Sequence, residues 1–238
     1  MKKSLPIIFG LCIGFFTMKF SLPVALGIII LAQIPFSGYL IMSALKNPTK
    51  MDYCPERSTA HDFSLHLKSL RNRDFLATSN MDIDGATVTA LIHPKESITA
   101  TVFQTNTAPS KVSFGFESKL KNGGTLTTST SAGVVPIPKD SFAQAFPGST
   151  AVAALKEHQT ALEYLKGHGL EFEPPHTAVP SLEEVQENFC ESHSKSRALF
   201  KSNFLYYSAI GTFRSIGGPN PYKKNIKEQP AVIARFAK

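Results

Sequence analysis

The first 45 residues contain two long stretches without a charged side chain, separated by Lys19 alone, and few folds accommodate such a pattern. Residues 5–18 form the first stretch, and residues 21–45 form a second one of 25 residues. A helix rises about 1.5 Å per residue, so about 20 apolar residues cross a hydrocarbon core roughly 30 Å thick. The pattern therefore predicts a transmembrane helical hairpin, with helices over about 4–18 and 22–45.

The short first stretch leaves other interpretations open. A signal peptide fits Lys2 and Lys3 followed by an apolar run, although no small-residue cleavage site follows. A lipoprotein signal would use Cys12, and a single span at 22–45 with an interfacial first segment is a further alternative. In the hairpin, the lysines that flank its two outer ends place both termini in the cytoplasm by the positive-inside rule. The expected location is integral to the inner, cytoplasmic membrane, with the soluble domain in the cytoplasm.

The formal net charge of +7 is distributed unevenly along the chain. Residues 1–50 contain five lysines and no acidic residue, residues 51–194 have a net charge of −6, and residues 195–238 have a net charge of +8. A uniformly basic nucleic-acid-binding domain is therefore not indicated. Three cysteines are too few for a disulfide-rich scaffold.

Alternating apolar and polar residues in the middle of the chain predict a half-buried antiparallel sheet. Asn122-Gly123-Gly124 is typical of a hairpin turn, and so is Asp84-Gly85. Asn80, Asp82 and Asp84 resemble the start of a calcium-binding loop, but Leu91 occupies the position of its bidentate Glu, which favours the turn. About six short strands are expected, at 63–68, 75–80, 86–92, 97–104, 111–120 and 125–131.

Two helices are predicted after the sheet. The first begins at a Ser149 or Thr150 cap and ends near Lys166, and the second begins at Ser181, where Glu184 completes a capping box. The expected fold class is α+β, in which a transmembrane hairpin precedes a soluble β-meander packed with two helices. The expected divisions are a membrane anchor at 1–50, the sheet at 51–147, helices at 148–210 and a basic tail at 211–238.

Motifs for metal or cofactor binding are incomplete. Cys190 and His193 share one face of a predicted helix, but a structural zinc site needs four ligands. Cys54 and His61 could complete the site only if the fold happened to bring them close to this pair. No phosphate-binding or dinucleotide-binding glycine motif occurs, so we predict no cofactor and no metal.

A hydrolase is the second functional hypothesis. It would use Cys190 or Ser192 as the nucleophile and His193 or His158 as the base. His158 lies on the apolar stripe of the first predicted helix, where a histidine is more often a hydrogen-bonded core residue than a catalytic base.

The C-terminal region combines cationic and aromatic residues, a composition that suits an anionic lipid surface or single-stranded nucleic acid. We therefore expect a non-enzymatic, membrane-anchored protein that binds another protein or anionic lipid headgroups. Nucleic-acid binding is a third hypothesis, and it is the least favoured one. The expected contact residues are Lys195, Arg197, Lys201, Arg214, Lys223, Lys224 and Lys227.

Overall fold

A computed structural model describes residues 22–44, 51–53, 61–83, 86–105, 112–131, 137–176, 178, 181–215 and 222–237. Within these residues the chain forms six α-helices, one short 3-10 helix and seven strands, so the predicted α+β class is confirmed. The helices are α1 (Leu22–Ala44), α2 (His61–Arg71), α3 (Ala151–Gly167), α4 (Leu182–Ser202), α5 (Phe204–Ser215) and α6 (Pro230–Phe236), with the 3-10 helix at Ile226–Glu228. The strands are β1 (Met51–Tyr53), β2 (Leu76–Ile83), β3 (Ala86–Ile92), β4 (Thr99–Thr105), β5 (Val112–Lys119), β6 (Thr125–Ser129) and β7 (Phe142–Ala145).

The seven strands form one sheet in which the spatial order follows the chain order. Strands β1 to β6 are antiparallel to their neighbours, as a meander predicts. Strand β7 lies parallel to β6, so the sheet is mixed rather than purely antiparallel. Gly123 has a φ of 83° in the turn between β5 and β6, a conformation that glycine adopts without strain. The Asp84-Gly85 turn lies outside the described residues.

The strand expected at 63–68 is wrong, because this segment belongs to helix α2. Phe63, Leu67 and Leu70 are buried at helical spacing, whereas Leu65 is half exposed. The alternation of Phe63, Leu65 and Leu67 indicated a strand because three residues cannot distinguish a period of 2 from one of 3.6. Helix α2 ends in a Schellman motif: Phe75 N–H donates to the Leu70 carbonyl, and Asp74 takes the left-handed conformation with a φ of 65°.

We call the face of the sheet that packs against α2 and α3 the inner face. On β5 it carries Phe114, Phe116 and Ser118, and Leu120 follows directly after the strand; all four are buried. The three apolar side chains belong to one core that also includes residues from both helices. The alternating burial along β5 confirms the predicted one-sided sheet in this region.

The outer face holds a much smaller apolar cluster. Met81, Val88 and Ala90 are buried together, and Val185 of α4 packs against them. Glu117 and Lys119 are on the same face, where Lys119 Nζ donates to the Asn188 Oδ1 of α4 at 2.8 Å. The described side chains of α4 thus include an apolar contact with this face, at Val185, and a polar one, at Asn188.

Both predicted helix starts are confirmed. Thr150 accepts a hydrogen bond from the Ala153 N–H at 3.2 Å as the N-cap of α3. Ser181 and Glu184 exchange hydrogen bonds at 3.2 and 2.7 Å, which is the reciprocal capping box predicted for α4.

The last described segment closes one edge of the sheet. Ala145 N–H of β7 donates to the Tyr222 carbonyl at 2.6 Å, and the Gln229 side chain donates to the Ala143 carbonyl at 2.9 Å. Ile226 and Val232 are buried in the same core as the inner face. This segment falls in the region expected to be a basic tail, and it contributes both hydrogen bonds and apolar contacts.

The expected membrane anchor requires a correction. No helix among the described residues is long and apolar enough to cross a membrane, which contradicts the expected membrane location and leaves the transmembrane hairpin unsupported. Residues 22–44 form α1, which contains Pro35 and packs against α5, and the first expected span, 4–18, lies outside the described residues. The apolar composition of α1 serves at least in part to contact another helix of the same chain, a use that a length criterion does not distinguish from a membrane span.

The structure divides into two compact units. The first unit comprises the described parts of 1–45 and 200–219, which include α1 and α5. The second unit comprises the described parts of 46–199 and 220–238, which include the sheet, α2, α3 and α6.

Candidate functional site

His158 is a buried titratable group whose pKa is strongly shifted. Its ring is fully buried between α3 and the inner face, where Nε2 lies 2.9 Å from Ser118 Oγ and Nδ1 lies 2.8 Å from Thr128 Oγ1. Burial disfavours the charged imidazolium and lowers the pKa of His158 from 6.5 to about 3. A neutral imidazole donates through one nitrogen and accepts through the other, and each hydroxyl can complement either role.

A hydrogen-bonded chain extends this cluster towards the C-terminal segment. Gln144 donates from Nε2 to Thr128 Oγ1 at 2.9 Å and to the Glu157 carbonyl at 3.0 Å. Its Oε1 accepts the Ile226 N–H at 3.0 Å, and Asn225 Nδ2 donates to the Glu157 carboxylate at 2.7 Å. The network therefore joins the sheet, α3 and the 3-10 helix, which is the arrangement expected of a satisfied core.

This geometry gives the hydrolase hypothesis no support at His158. The ring contacts hydroxyls that are themselves buried, Ser118 with 1% exposure and Thr128 with 0%. Among the described side chains, Cys190, one of the expected nucleophiles, is not a hydrogen-bond partner of the ring. Cys190 is half-buried in α4, and the side chains of Ser192 and His193 lie outside the described part of the structure.

The expected absence of a metal site remains a prediction. Within the described residues no group of three or more His, Cys, Asp or Glu side chains is placed to hold a metal ion. Cys54 and the side chain of His61 lie outside that description.

The expected basic contact residues fall into separate groups. Lys195 is on α4, where it forms an exposed ion pair with Glu191 at 2.7 Å, and the hydrogen bond in this pair lowers the pKa of Glu191. Arg197 is half-buried, and its Nε makes no hydrogen bond within the described part of the chain. Lys201 is exposed and belongs to the first unit, as does Arg214, whose side chain is not described.

Three of the expected lysines do lie together. Lys223, Lys224 and Lys227 are exposed around the 3-10 helix of the second unit. Asn225 and Ile226 anchor the same turn through buried contacts. The turn therefore presents three ammonium groups from a fixed backbone.

Exposed apolar side chains concentrate on α1 and α5, which we call the helix pair. Leu205 is 73% exposed, Tyr206 is 64% exposed, and on α1 Leu31 and Tyr39 are 66% and 61% exposed. The two helices approach closely at Gly38, where the Phe204 ring and the Ser208 hydroxyl occupy the space that a Cβ would need. In the second unit, by contrast, no large apolar side chain among the described residues is more than 50% exposed.

Sequence analysis missed the apolar part of this surface. The apolar residues of α1 fit the pattern of a membrane span, and the C-terminal aromatic residues suggest a binding surface only in combination with the basic residues. The run Phe204-Leu205-Tyr206-Tyr207 could have indicated it. Four consecutive large side chains cannot all lie on the buried face of a helix, so some of them must be exposed.

No protein-family model, curated protein or solved structure matches this chain.

Proposed function

We propose that this is a non-enzymatic binding protein, and that its helix pair docks an acidic, apolar segment of another protein. The observation that carries the proposal is the exposure of Leu31, Tyr39, Leu205 and Tyr206 within one helical unit. Neighbouring exposed apolar side chains, such as Leu205 and Tyr206, are typical of interaction surfaces, whereas single scattered ones are not. Tyrosine is also enriched among the residues that dominate binding energy at interfaces.

The charge of the same unit indicates the chemistry of the partner. Residues 1–45 and 200–219 contain five Lys and Arg residues and no Asp or Glu. A partner segment with acidic side chains beside its apolar ones would complement this charge and associate faster at low salt. A second copy of the chain would bring like charges together, so a different, acidic partner is favoured.

The test uses the full chain and short amphipathic helical peptides whose apolar face is constant. One peptide carries Glu on its polar face, and a matched peptide carries Lys. Fluorescence anisotropy should show saturable binding of the Glu peptide and much weaker binding of the Lys peptide. The double variant Leu205→Ser/Tyr206→Ser should weaken binding of the Glu peptide by about tenfold or more, as loss of interface anchors does.

Controls separate the helix pair from other surfaces. Ile233→Ser removes an exposed apolar side chain of α6 in the second unit, and its affinity should match the parent. A triple Lys223→Glu/Lys224→Glu/Lys227→Glu variant removes the three exposed lysines around the 3-10 helix, and its affinity should also match the parent. The proposal fails if this triple variant loses binding while Leu205→Ser/Tyr206→Ser retains it. It also fails if the chain binds anionic phospholipid vesicles and neither peptide.

A further inference from the structure

A cleft of about 360 Å³ opens beside the first half of α3 in the second unit. Its volume falls within the range of about 300–1,000 Å³ that is typical of small-ligand sites. One part of the lining is apolar and the other part consists of hydrogen-bond donors. The residues used below are Phe75, Val152 and Leu155 on the apolar wall and Arg73, His93 and Lys156 among the donors.

The backbone around His93 determines which ring nitrogen carries the proton. His93 Nδ1 accepts the backbone N–H of Glu96 at 2.9 Å and that of Lys95 at 3.3 Å. Because Nδ1 is an acceptor, the proton of the neutral ring is on Nε2. Nε2 has no partner among the described residues, so this ring contributes a donor.

The two cations of the cleft also retain unused donors. Arg73 donates from one Nη to the Ser69 carbonyl at 3.1 Å, and a guanidinium has five N–H groups. Within the described residues neither Arg73 nor Lys156 forms an ion pair.

The acidic groups near the cleft have partners other than its cations. Asp74 forms an exposed ion pair with Lys95 at 3.5 Å. The Glu96 carboxylate accepts hydrogen bonds at 3.0 and 3.3 Å from Nε2 of Gln159, which itself lines the cleft, so this carboxylate lies next to the cleft. The cleft therefore collects donors and positive charge without a carboxylate paired to either of its cations.

The walls of the cleft belong to rigid elements. Phe75 follows the Schellman motif of α2 and is 2% exposed, and Leu155 of α3 is 4% exposed. The Phe75 and His93 rings are in edge contact, with centroids 5.1 Å apart. A site whose side chains are already held in place loses less conformational freedom on binding.

We propose that this cleft binds a small organic anion, whose phosphate or carboxylate group contacts Arg73 and Lys156 and whose apolar body lies against Phe75, Val152 and Leu155. Charge-assisted hydrogen bonds from guanidinium and ammonium groups are the strongest available contacts for such an anion. The proposal is independent of the helix pair, because all of these residues belong to the second unit.

The test is isothermal titration of the full chain at constant ionic strength with phenyl phosphate, benzoate, inorganic phosphate and benzylamine. Saturable binding is expected for the two aromatic anions, weaker binding for inorganic phosphate and none for the cation. Arg73→Gln and Lys156→Gln should each weaken binding of the tighter anion by about tenfold, since each removes a charged donor.

Matched controls exist on the same two helices. Arg71→Gln removes an exposed arginine at the same end of α2, and Lys166→Gln removes an exposed lysine of α3; both lie outside the cleft and should retain parental affinity. Thermal unfolding without ligand verifies that each variant is folded. Three results would overturn the proposal: no saturable binding of either aromatic anion, parental affinity in folded Arg73→Gln and Lys156→Gln, or equal losses in the controls.

Discussion

The two faces of the sheet are built from the same strands but tolerate polar groups in different ways. On β5, Ser118 points into the core and bonds to His158, whereas Glu117 on the outer face has a raised pKa because burial disfavours its charged form. Beside His158 the inner face holds uncharged polar groups, the Ser118 and Thr128 hydroxyls, and both are hydrogen-bonded to the ring. The outer face retains a carboxylate next to Lys119, whose charge partly offsets the effect of burial. Burial that the uncharged Ser118 hydroxyl tolerates through its hydrogen bond therefore disfavours the charged carboxylate of Glu117.

Truncation of an inner-face aromatic should have the largest effect. Phe116 is fully buried, so Phe116→Ala should lower the free energy of unfolding by about 3–5 kcal/mol through lost burial and a residual cavity. Phe103 is on the outer face and is 38% exposed, and Phe103→Ala should cost about 1 kcal/mol or less. Urea unfolding of both variants measures the difference, and equal losses would contradict the distinction between the faces.

The pH dependence of stability tests the neutral state of His158. The unfolded chain binds a proton at this residue below its ordinary pKa of 6.5, whereas the folded protein resists protonation down to a pKa of about 3. The neutral state of His158 therefore contributes fully to the free energy of unfolding above pH 6.5. As the pH falls from 6.5 towards 3, this contribution decreases by about 1.4 kcal/mol per pH unit. His158→Gln cannot titrate, so its stability relative to the parent should improve between pH 6.5 and 4. A constant difference over this range would show that the ring is accessible to protons.

The apolar contact between α4 and the outer face should contribute modestly to the free energy of unfolding. Val185 is half-buried against Met81, Val88 and Ala90, so Val185→Ala should cost about 1 kcal/mol. Leu155→Ala on the inner side should cost about 2–5 kcal/mol. Chemical unfolding separates the two values, and a loss at Val185 as large as that at Leu155 would show that the outer face is a second core.

The smallest expected effect is a gain in stability, at Glu117. A raised pKa means that folding opposes ionisation of Glu117, so stability is lost as the pH rises through that pKa. Glu117→Gln should therefore raise the urea midpoint slightly at pH 7 and leave it unchanged at pH values where the carboxyl is already protonated. Glu163→Gln on the exposed side of α3 is the control. A lower midpoint for Glu117→Gln at pH 7 would indicate a stabilising ion pair with Lys119.

Sequence patterns predicted the elements whose signals are local. Strand β3 was predicted at its observed bounds because its residues combine β-branching with flanking turns, and α3 and α4 begin at their predicted caps. Helix α2 was misassigned because its apolar residues fit two periods over a short range. Strand β7 was missed because it has only four residues and its parallel partner ends 13 residues earlier.

The candidate sites were less predictable, since they depend on distant residues. His158 meets Ser118 and Thr128 at separations of 40 and 30 residues, which no spacing motif encodes. The donors of the cleft come from the turn after α2, the residue after β3 and the first half of α3. The basic residues were identified as a single surface, but their positions divide between two units.

The segment that closes the β7 edge also determines when the protein can complete its folding. Ile226 and the Tyr222 carbonyl are about 80 residues beyond Ala145 in the chain. At about 5–20 residues per second, a ribosome adds that length in about 4–16 seconds. During this interval the edge of β7 and part of the core lack their native cover, and an uncovered strand edge readily pairs with other chains. A nascent chain of this protein therefore has a delay of seconds in which chaperone binding competes with aggregation.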